Sequence, residues 1–153
     1  MDKDVINAKF DIIQRDIAFT KELSPKKFSF MEEQAAKYTL LEMTEACIDI
    51  AGHIIAAKGF RRPEEYSELF AVLQEQKIIS EGLAKQLAAM AKMRNILVHR
   101  YADIDIKRLR DTLKNDLGDV EQFMRSIARY MEKENGLFFE GRKSQSKEKY
   151  YKR

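Results

Sequence analysis

Apolar residues recur at intervals of three and four positions along most of the chain, which is the periodicity of an amphipathic α-helix. The longest series comprises Ile106, Leu109, Leu113, Leu117, Val120, Phe123, Ile127 and Tyr130. Glycine and proline, which interrupt helices, number only six and two in 153 residues. The pattern therefore predicts an all-α fold and excludes a β-sandwich, a β-barrel or a βαβ fold.

Five helices are predicted, and the second is the central one. The first covers about residues 3–23. The second starts at Ser29, which stands three positions before Glu32 in the spacing of a capping box. It runs to about Lys58, because Gly59 favours a helix C-terminus. This helix is apolar around much of its circumference, so we expect the other helices to pack around it.

The remaining helices are placed by their terminal residues. The third is short, with Pro63 in its first turn and Tyr66 on its apolar side. The fourth starts near Ser80, and the fifth starts near Asp103 or Asp105. These two aspartates could form a metal-binding pair, but N-capping of the fifth helix is the favoured interpretation.

The positive charge is concentrated at the C-terminus. Residues 136–153 contain six Lys/Arg and two Asp/Glu, whereas the net charge of the whole chain is +3. We therefore predict a slightly acidic helical domain over residues 1–135 and a basic, flexible tail over residues 136–153. Leu137, Phe138 and Phe139 are candidates for docking onto the domain. Tyr150 and Tyr151 among the lysines could add RNA affinity, although a solvated tail is favoured.

The cysteine and histidine content limits the compartment and the cofactors. Cys47 is the only cysteine, so no intrachain disulfide can form. No apolar run approaches the roughly 20 residues of a membrane span, and the N-terminus lacks a signal-peptide pattern. We therefore expect a cytoplasmic protein without membrane association. His53 and His99 occur in no zinc motif, and no glycine-rich phosphate loop is present, so we expect no metal and no cofactor.

Arg94 occupies a position of the fourth helix where the periodicity calls for an apolar residue. One interpretation is a salt bridge to Glu45 or Asp49, because a buried guanidinium needs a partner. The other is that Arg94 faces an anionic ligand in a cleft. The second helix carries a polar stripe, which is either structural or places Asp49 or His53 near Arg94. The stripe consists of Glu42, Glu45, Asp49 and His53.

The residues that follow Arg94 form the pattern R-N-x-x-x-H-x-Y, with Asn95, His99 and Tyr101. In a continuous helix, His99 would be rotated by roughly 140° from Arg94. The two side chains can converge if the helix ends near His99, or if two copies meet across a dimer axis. Taken singly, His99 would suit a helix C-terminus and Tyr101 the edge of the core.

The string MRNILVHRY at residues 93–101 resembles the signature of the HepT-like toxin family (DUF86) of the HEPN superfamily. Residues 45–59 and 101–113 are similar to the family segments before and after it. The resemblance implies a homodimeric HEPN-type helical bundle that is a metal-independent endoribonuclease toxin. It assigns catalysis to Arg94 and His99, and supporting RNA contacts to Asn95 and Tyr101. It also implies a nucleotidyltransferase antitoxin that transfers AMP to Tyr101.

Two other functions remain open from the sequence. The chain could be a HEPN module that binds nucleotide, RNA or only its nucleotidyltransferase partner without cleaving RNA. It could also be a structural bundle in which Arg94 serves only an internal ion pair. Presence of both Arg94 and His99 favours the enzyme.

Overall fold

The computed structural model describes residues 1–24, 26–100 and 103–136. The five helices are α1 (Lys3–Glu22), α2 (Phe30–Lys58), α3 (Leu69–Glu75), α4 (Glu81–His99) and α5 (Ile106–Gly136), and a 3₁₀ turn (Tyr66–Glu68) precedes α3. The described ranges contain no strand, and the predicted all-α fold of five helices is confirmed. Tyr101 and residues 137–153 of the predicted tail, with the candidate docking residues 137–139, lie outside the described residues.

The second helix is the centre of the bundle, as predicted. It contacts each of the other four helices. Its buried side chains include Leu40, Met43, Ile50 and Ile54, all of which are fully or almost fully inaccessible to solvent. Burial of apolar area around much of its circumference is the main favourable term for the fold. The helix can therefore serve as the fixed frame on which the other elements position their side chains.

The helix ends lie where the capping residues predicted them. The Ser29 hydroxyl accepts from the Glu32 backbone N–H at 3.2 Å, and the Glu32 carboxylate accepts from the Ser29 N–H at 3.0 Å. Gly59 ends α2 in the left-handed conformation with φ of 67°. The Ser80 hydroxyl accepts from the Leu83 N–H at 3.1 Å at the start of α4. These contacts satisfy backbone groups that the helices themselves leave unpaired.

The predicted start of the third helix was wrong, because α3 begins at Leu69. Pro63 lies outside any helix, and Glu65 has an extended backbone with φ of −122° and ψ of 152°. Tyr66 was predicted on the apolar side, but 57% of its surface is exposed. Tyr66 lies in the 3₁₀ turn that follows this irregular connection, and the buried face of α3 begins only at Leu69.

Asp105 caps α5, which confirms the favoured interpretation of the acidic pair. Its carboxylate accepts from the Lys107 backbone N–H at 2.9 Å. Asp103 instead lies beside Arg100, with 3.6 Å between Asp103 Oδ2 and Arg100 Nε. Within the described ranges, no group of three or more His, Cys, Asp or Glu side chains could hold a metal ion.

No helix in the described part of the chain combines the length and the apolar character that crossing a membrane requires.

Cys47 is a free, buried thiol on α2. Burial, and after it the nearby carboxylate of Asp116, raises the pKa of this thiol. The thiol therefore stays protonated and acts as a small apolar side chain of the core.

Two carboxyl groups are partly enclosed between helices. Burial raises the pKa of Asp116 to about 7, and the charge of Asp119 adds to the shift. Burial also raises the pKa of Asp16 to about 7, with a further contribution from Glu42 beside it. The Oδ2 atoms of Asp16 and Asp116 are buried and have no hydrogen-bond partner among the described residues. Both groups therefore favour the neutral form in the folded chain.

The stability of the chain should fall as the pH rises from about 4 to about 7. In the unfolded chain Asp16 and Asp116 ionise near pH 4, but in the folded chain they keep their protons up to about pH 7. Unfolding therefore releases protons in this window. Replacement Asp116→Asn should make the pH dependence shallower in urea-unfolding measurements. An unchanged slope in Asp116→Asn would contradict the prediction.

Candidate active site

Arg94 is held by side chains from three elements. Its Nε donates to the carboxylate of Glu45 on α2. Its guanidinium carbon lies 5.1 Å from the ring centroid of Tyr66 in the 3₁₀ turn, which is a cation–π distance. Its Nη1 donates to the amide oxygen of the neighbouring Asn95 at 3.4 Å. The guanidinium is therefore fixed in position by α2, the 3₁₀ turn and α4 together.

The ion pair of Arg94 and Glu45 is only partly enclosed. The side chain of Arg94 is 22% exposed and that of Glu45 is 37% exposed. The interpretation of a salt bridge to Glu45 is thus confirmed, but the pair lies at the surface of the bundle. Solvent screening makes such a pair a small contributor to stability. The exposed part of the guanidinium is available to an anion that approaches from solvent.

The other members of the polar stripe serve contacts between α1 and α2. The Asp49 carboxylate lies 2.9 Å from the ammonium of Lys9. The Nε2 atom of His53 accepts from the backbone N–H of Asp2 at 3.1 Å. Among the described residues, Asp49 and His53 pair with Lys9 and Asp2 and not with Arg94. The interpretation that one of them tunes Arg94 therefore gains no support. Glu45 is the stripe residue that pairs with Arg94.

His99 is the last residue of α4 and is exposed. The backbone N–H of Arg100 closes the final turn by donating to the carbonyl of Ile96 at 2.8 Å. The helix thus ends at His99, which is one of the two conditions for His99 and Arg94 to converge. A side chain at a helix terminus can turn toward the axis or away from it, because no following turn covers it.

A groove lies next to this cluster. It has a volume of about 1250 Å³ and is bordered by the C-terminal half of α2, the connection from α2 to the 3₁₀ turn, and α4. Tyr66 and Asn95, the two residues that touch the Arg94 guanidinium besides Glu45, both line it. The groove and Arg94 therefore form one continuous surface, which we call the Arg94 groove.

Comparison with known proteins identifies the family. A sequence model of the family described as Ribonuclease HepT-like matches residues 10–127. The chain belongs to the HepT-like ribonuclease family. The mRNA nuclease HepT of Shewanella oneidensis is 30% identical over 125 residues, which are 79% of this chain and 94% of that protein. The tRNA nuclease HepT of Aphanizomenon flos-aquae is 30% identical over 83% of this chain and 90% of that protein.

A solved structure extends the similarity to the fold. It is described as a tri-AMPylated Shewanella oneidensis HEPN toxin in complex with MNT antitoxin. This HepT-like chain shares 28% sequence identity with that toxin and superposes with a TM-score of 0.76, covering 84% of this chain and 99% of the other. The predicted HEPN-type bundle of a HepT-like protein is thereby confirmed.

The structure brings together three of the residues that the sequence singled out and adds one that it assigned elsewhere. Arg94, Asn95 and Glu45 are in mutual proximity through the guanidinium. Tyr66 joins them, although the sequence had placed it on the apolar side of the third helix. The sequence signal that could have separated Tyr66 from the core is the preceding Pro63, which opens an irregular segment.

Proposed function

We propose that this HepT-like chain is a metal-independent endoribonuclease toxin that cleaves RNA through Arg94 and His99. The observation that carries the proposal is a fixed, partly exposed guanidinium five residues before an exposed histidine at a helix end, in a member of a ribonuclease family. A phosphodiester is an anion whose charge grows in the transition state, and a planar guanidinium binds two of its oxygens at once.

His99 supplies the proton transfers. In the proposed reaction, an imidazole removes the proton from a ribose 2′-OH, and the 2′-oxygen attacks the adjacent phosphorus. The bond between phosphorus and the 5′-oxygen breaks, and an imidazolium donates a proton to that oxygen. The products carry a 2′,3′-cyclic phosphate and a 5′-hydroxyl. Histidine suits both roles because its usual pKa lies near neutral pH.

A homodimer would supply the two histidines that this reaction needs. His99 is exposed at the end of α4, and Val98 beside it leaves 44% of an apolar side chain exposed. A second copy of the chain placed across this end of α4 would bring together two copies each of Arg94 and His99. One imidazole would then act as the base and the other as the acid.

The proposal includes a nucleotidyltransferase antitoxin. The related toxin was solved in complex with an MNT antitoxin and is described as tri-AMPylated. We infer that the partner of this chain transfers AMP from ATP to Tyr101, with the phenol oxygen attacking the α-phosphorus and pyrophosphate leaving. AMP beside His99 would add bulk and negative charge, which repel the RNA phosphates. Asn95 and Tyr101 are the proposed supporting contacts to RNA.

The proposed function is tested by RNA cleavage in excess EDTA. Purified chain, shown by intact mass to be free of AMP and by sedimentation to be a folded dimer, should cleave RNA with or without EDTA. End analysis should find 2′,3′-cyclic phosphates. A magnesium-dependent ribonuclease serves as the control that EDTA must inhibit. Cleavage that stops in EDTA and returns with Mg²⁺ would contradict metal independence. No cleavage by the AMP-free dimer would favour the non-catalytic binding module.

A further inference from the structure

The Arg94 groove is larger than contact with a single phosphate requires. Its volume of about 1250 Å³ exceeds that of one nucleotide, and only Asn95 and Tyr66 of its lining touch the guanidinium. The rest of the lining extends away from Arg94 along α2 and the connection before the 3₁₀ turn. A ligand that binds Arg94 through a phosphate would therefore have a second part that reaches this space.

The lining favours a neutral, planar group over another phosphate. Much of it is apolar and includes Ile48, Ile55, Phe60, Pro63 and Leu69. The charged side chains of the lining are the carboxylates of Asp49, Glu64 and Glu65 and the two cations Arg62 and Lys92, so negative charges outnumber positive ones by one. Carboxylates repel phosphates but accept hydrogen bonds from the amino groups of bases.

Tyr66 is the residue that joins the groove to the catalytic arginine. Its ring contacts the Arg94 guanidinium, and 57% of its surface remains exposed. An exposed aromatic ring is a stacking platform for a base, and stacking tolerates any base because each has a π-face. A base that stacks on Tyr66 would place the phosphate of its own nucleotide close to Arg94.

We propose that the Arg94 groove binds the base of the RNA nucleotide next to the cleaved bond, with Tyr66 as its stacking partner and Asn95 as a polar contact. This inference rests on the proposed function, since it says where the same site binds one base of the proposed RNA substrate. A base can occupy the groove only when it has left its stack in a duplex. The substrate at this position is therefore single-stranded RNA.

Gly52 offers a way to fill the groove without touching Arg94 or its partners. It lines the groove from α2, and a Cβ atom at this position would meet nothing within 4 Å. Gly52→Leu should therefore fold normally and occupy the space of the base. Gly82 is the matched control, because it is also helical with open space around a Cβ atom and does not line the groove.

The test measures RNA binding in the His99→Ala background, in which the proposed reaction is prevented. The probe is a short single-stranded oligoribonucleotide that contains 2-aminopurine, whose fluorescence is quenched when it stacks. Gly52→Leu and Tyr66→Ala should each weaken binding about tenfold and lose the quenching. Tyr66→Phe should keep both, because it keeps the ring. Gly82→Leu should bind as the parent does. Thermal melts establish that each variant is folded.

The outcomes separate this inference from the proposed function. If Gly52→Leu binds and quenches like Gly82→Leu, the base does not enter the groove and the inference is overturned, whether or not the wild type cleaves RNA. If the groove variants lose binding but the wild type cleaves no RNA, the groove stands as a base-binding site and the proposed nuclease fails. Loss of binding together with a raised KM for cleavage in Gly52→Leu supports both.

Discussion

His99→Ala is expected to reduce RNA cleavage by about 10²- to 10⁴-fold, because the variant lacks the group that moves protons in the proposed mechanism. The fold should be unaffected. His99 is exposed at the end of α4, and a substitution at such a position changes the free energy of unfolding by about 0.5 kcal/mol or less. Single-turnover cleavage rates and urea-unfolding curves of the same preparations measure the two effects.

Lys85→Ala is the control for this prediction, since Lys85 is an exposed residue of the same helix that forms only a surface pair with Glu81. It should retain cleavage within a few fold of the wild type. A His99→Ala protein that cleaves RNA at the wild-type rate would remove His99 from the mechanism. Equal losses in His99→Ala and Lys85→Ala would instead show that the loss is not specific to the imidazole.

Arg94→Ala is expected to reduce cleavage by about 10²- to 10³-fold while it destabilises the chain only slightly. In the ion pair, the side chain of Arg94 is 22% exposed and that of Glu45 is 37% exposed. Partly exposed pairs contribute about 0–1 kcal/mol to the free energy of unfolding. A fully buried pair would cost about 3–5 kcal/mol when broken. Arg94→Lys should also lose most activity, because an ammonium cannot present two parallel donors to a phosphate.

The matched control is Arg61→Ala. Arg61 forms a comparable surface pair, with 2.7 Å between its Nη2 atom and Glu75 Oε1. This variant should lose a similar amount of stability and keep its cleavage rate. If Arg94→Ala instead unfolds several kcal/mol more easily than Arg61→Ala and loses activity only in proportion to the unfolded fraction, Arg94 would be a structural residue.

Local sequence determined most of the fold, because most helix ends depend on contacts within four residues. The capping box of Ser29 and Glu32, the left-handed Gly59 and the cap by Asp105 are all of this kind. The start of the third helix is different. Pro63 fits a first helical turn as well as an irregular connection, and the choice depends on the path from α2 to α3.

The contacts within the candidate site could be predicted less well from the sequence than the helices could. The stripe on α2 offers Glu45 and Asp49 as equally plausible partners of Arg94, because they lie four positions apart on one face. The packing of α2 against α4 selects Glu45, which is a tertiary effect. Tyr66 was placed on the apolar side of the third helix for a related reason, since whether that helix begins before or after Tyr66 depends on the path of the chain from α2.

The contacts of Arg94 have a consequence for the thermodynamics of the proposed RNA binding. A free arginine side chain has about 2 kcal/mol of rotamer entropy, part of which is lost whenever a ligand immobilises it. Here Glu45, Tyr66 and Asn95 restrict the guanidinium before any RNA arrives. The ordering of this side chain is thus completed during folding. A phosphate that binds Arg94 would therefore lose less affinity to the ordering of this side chain than one that binds a freely rotating arginine.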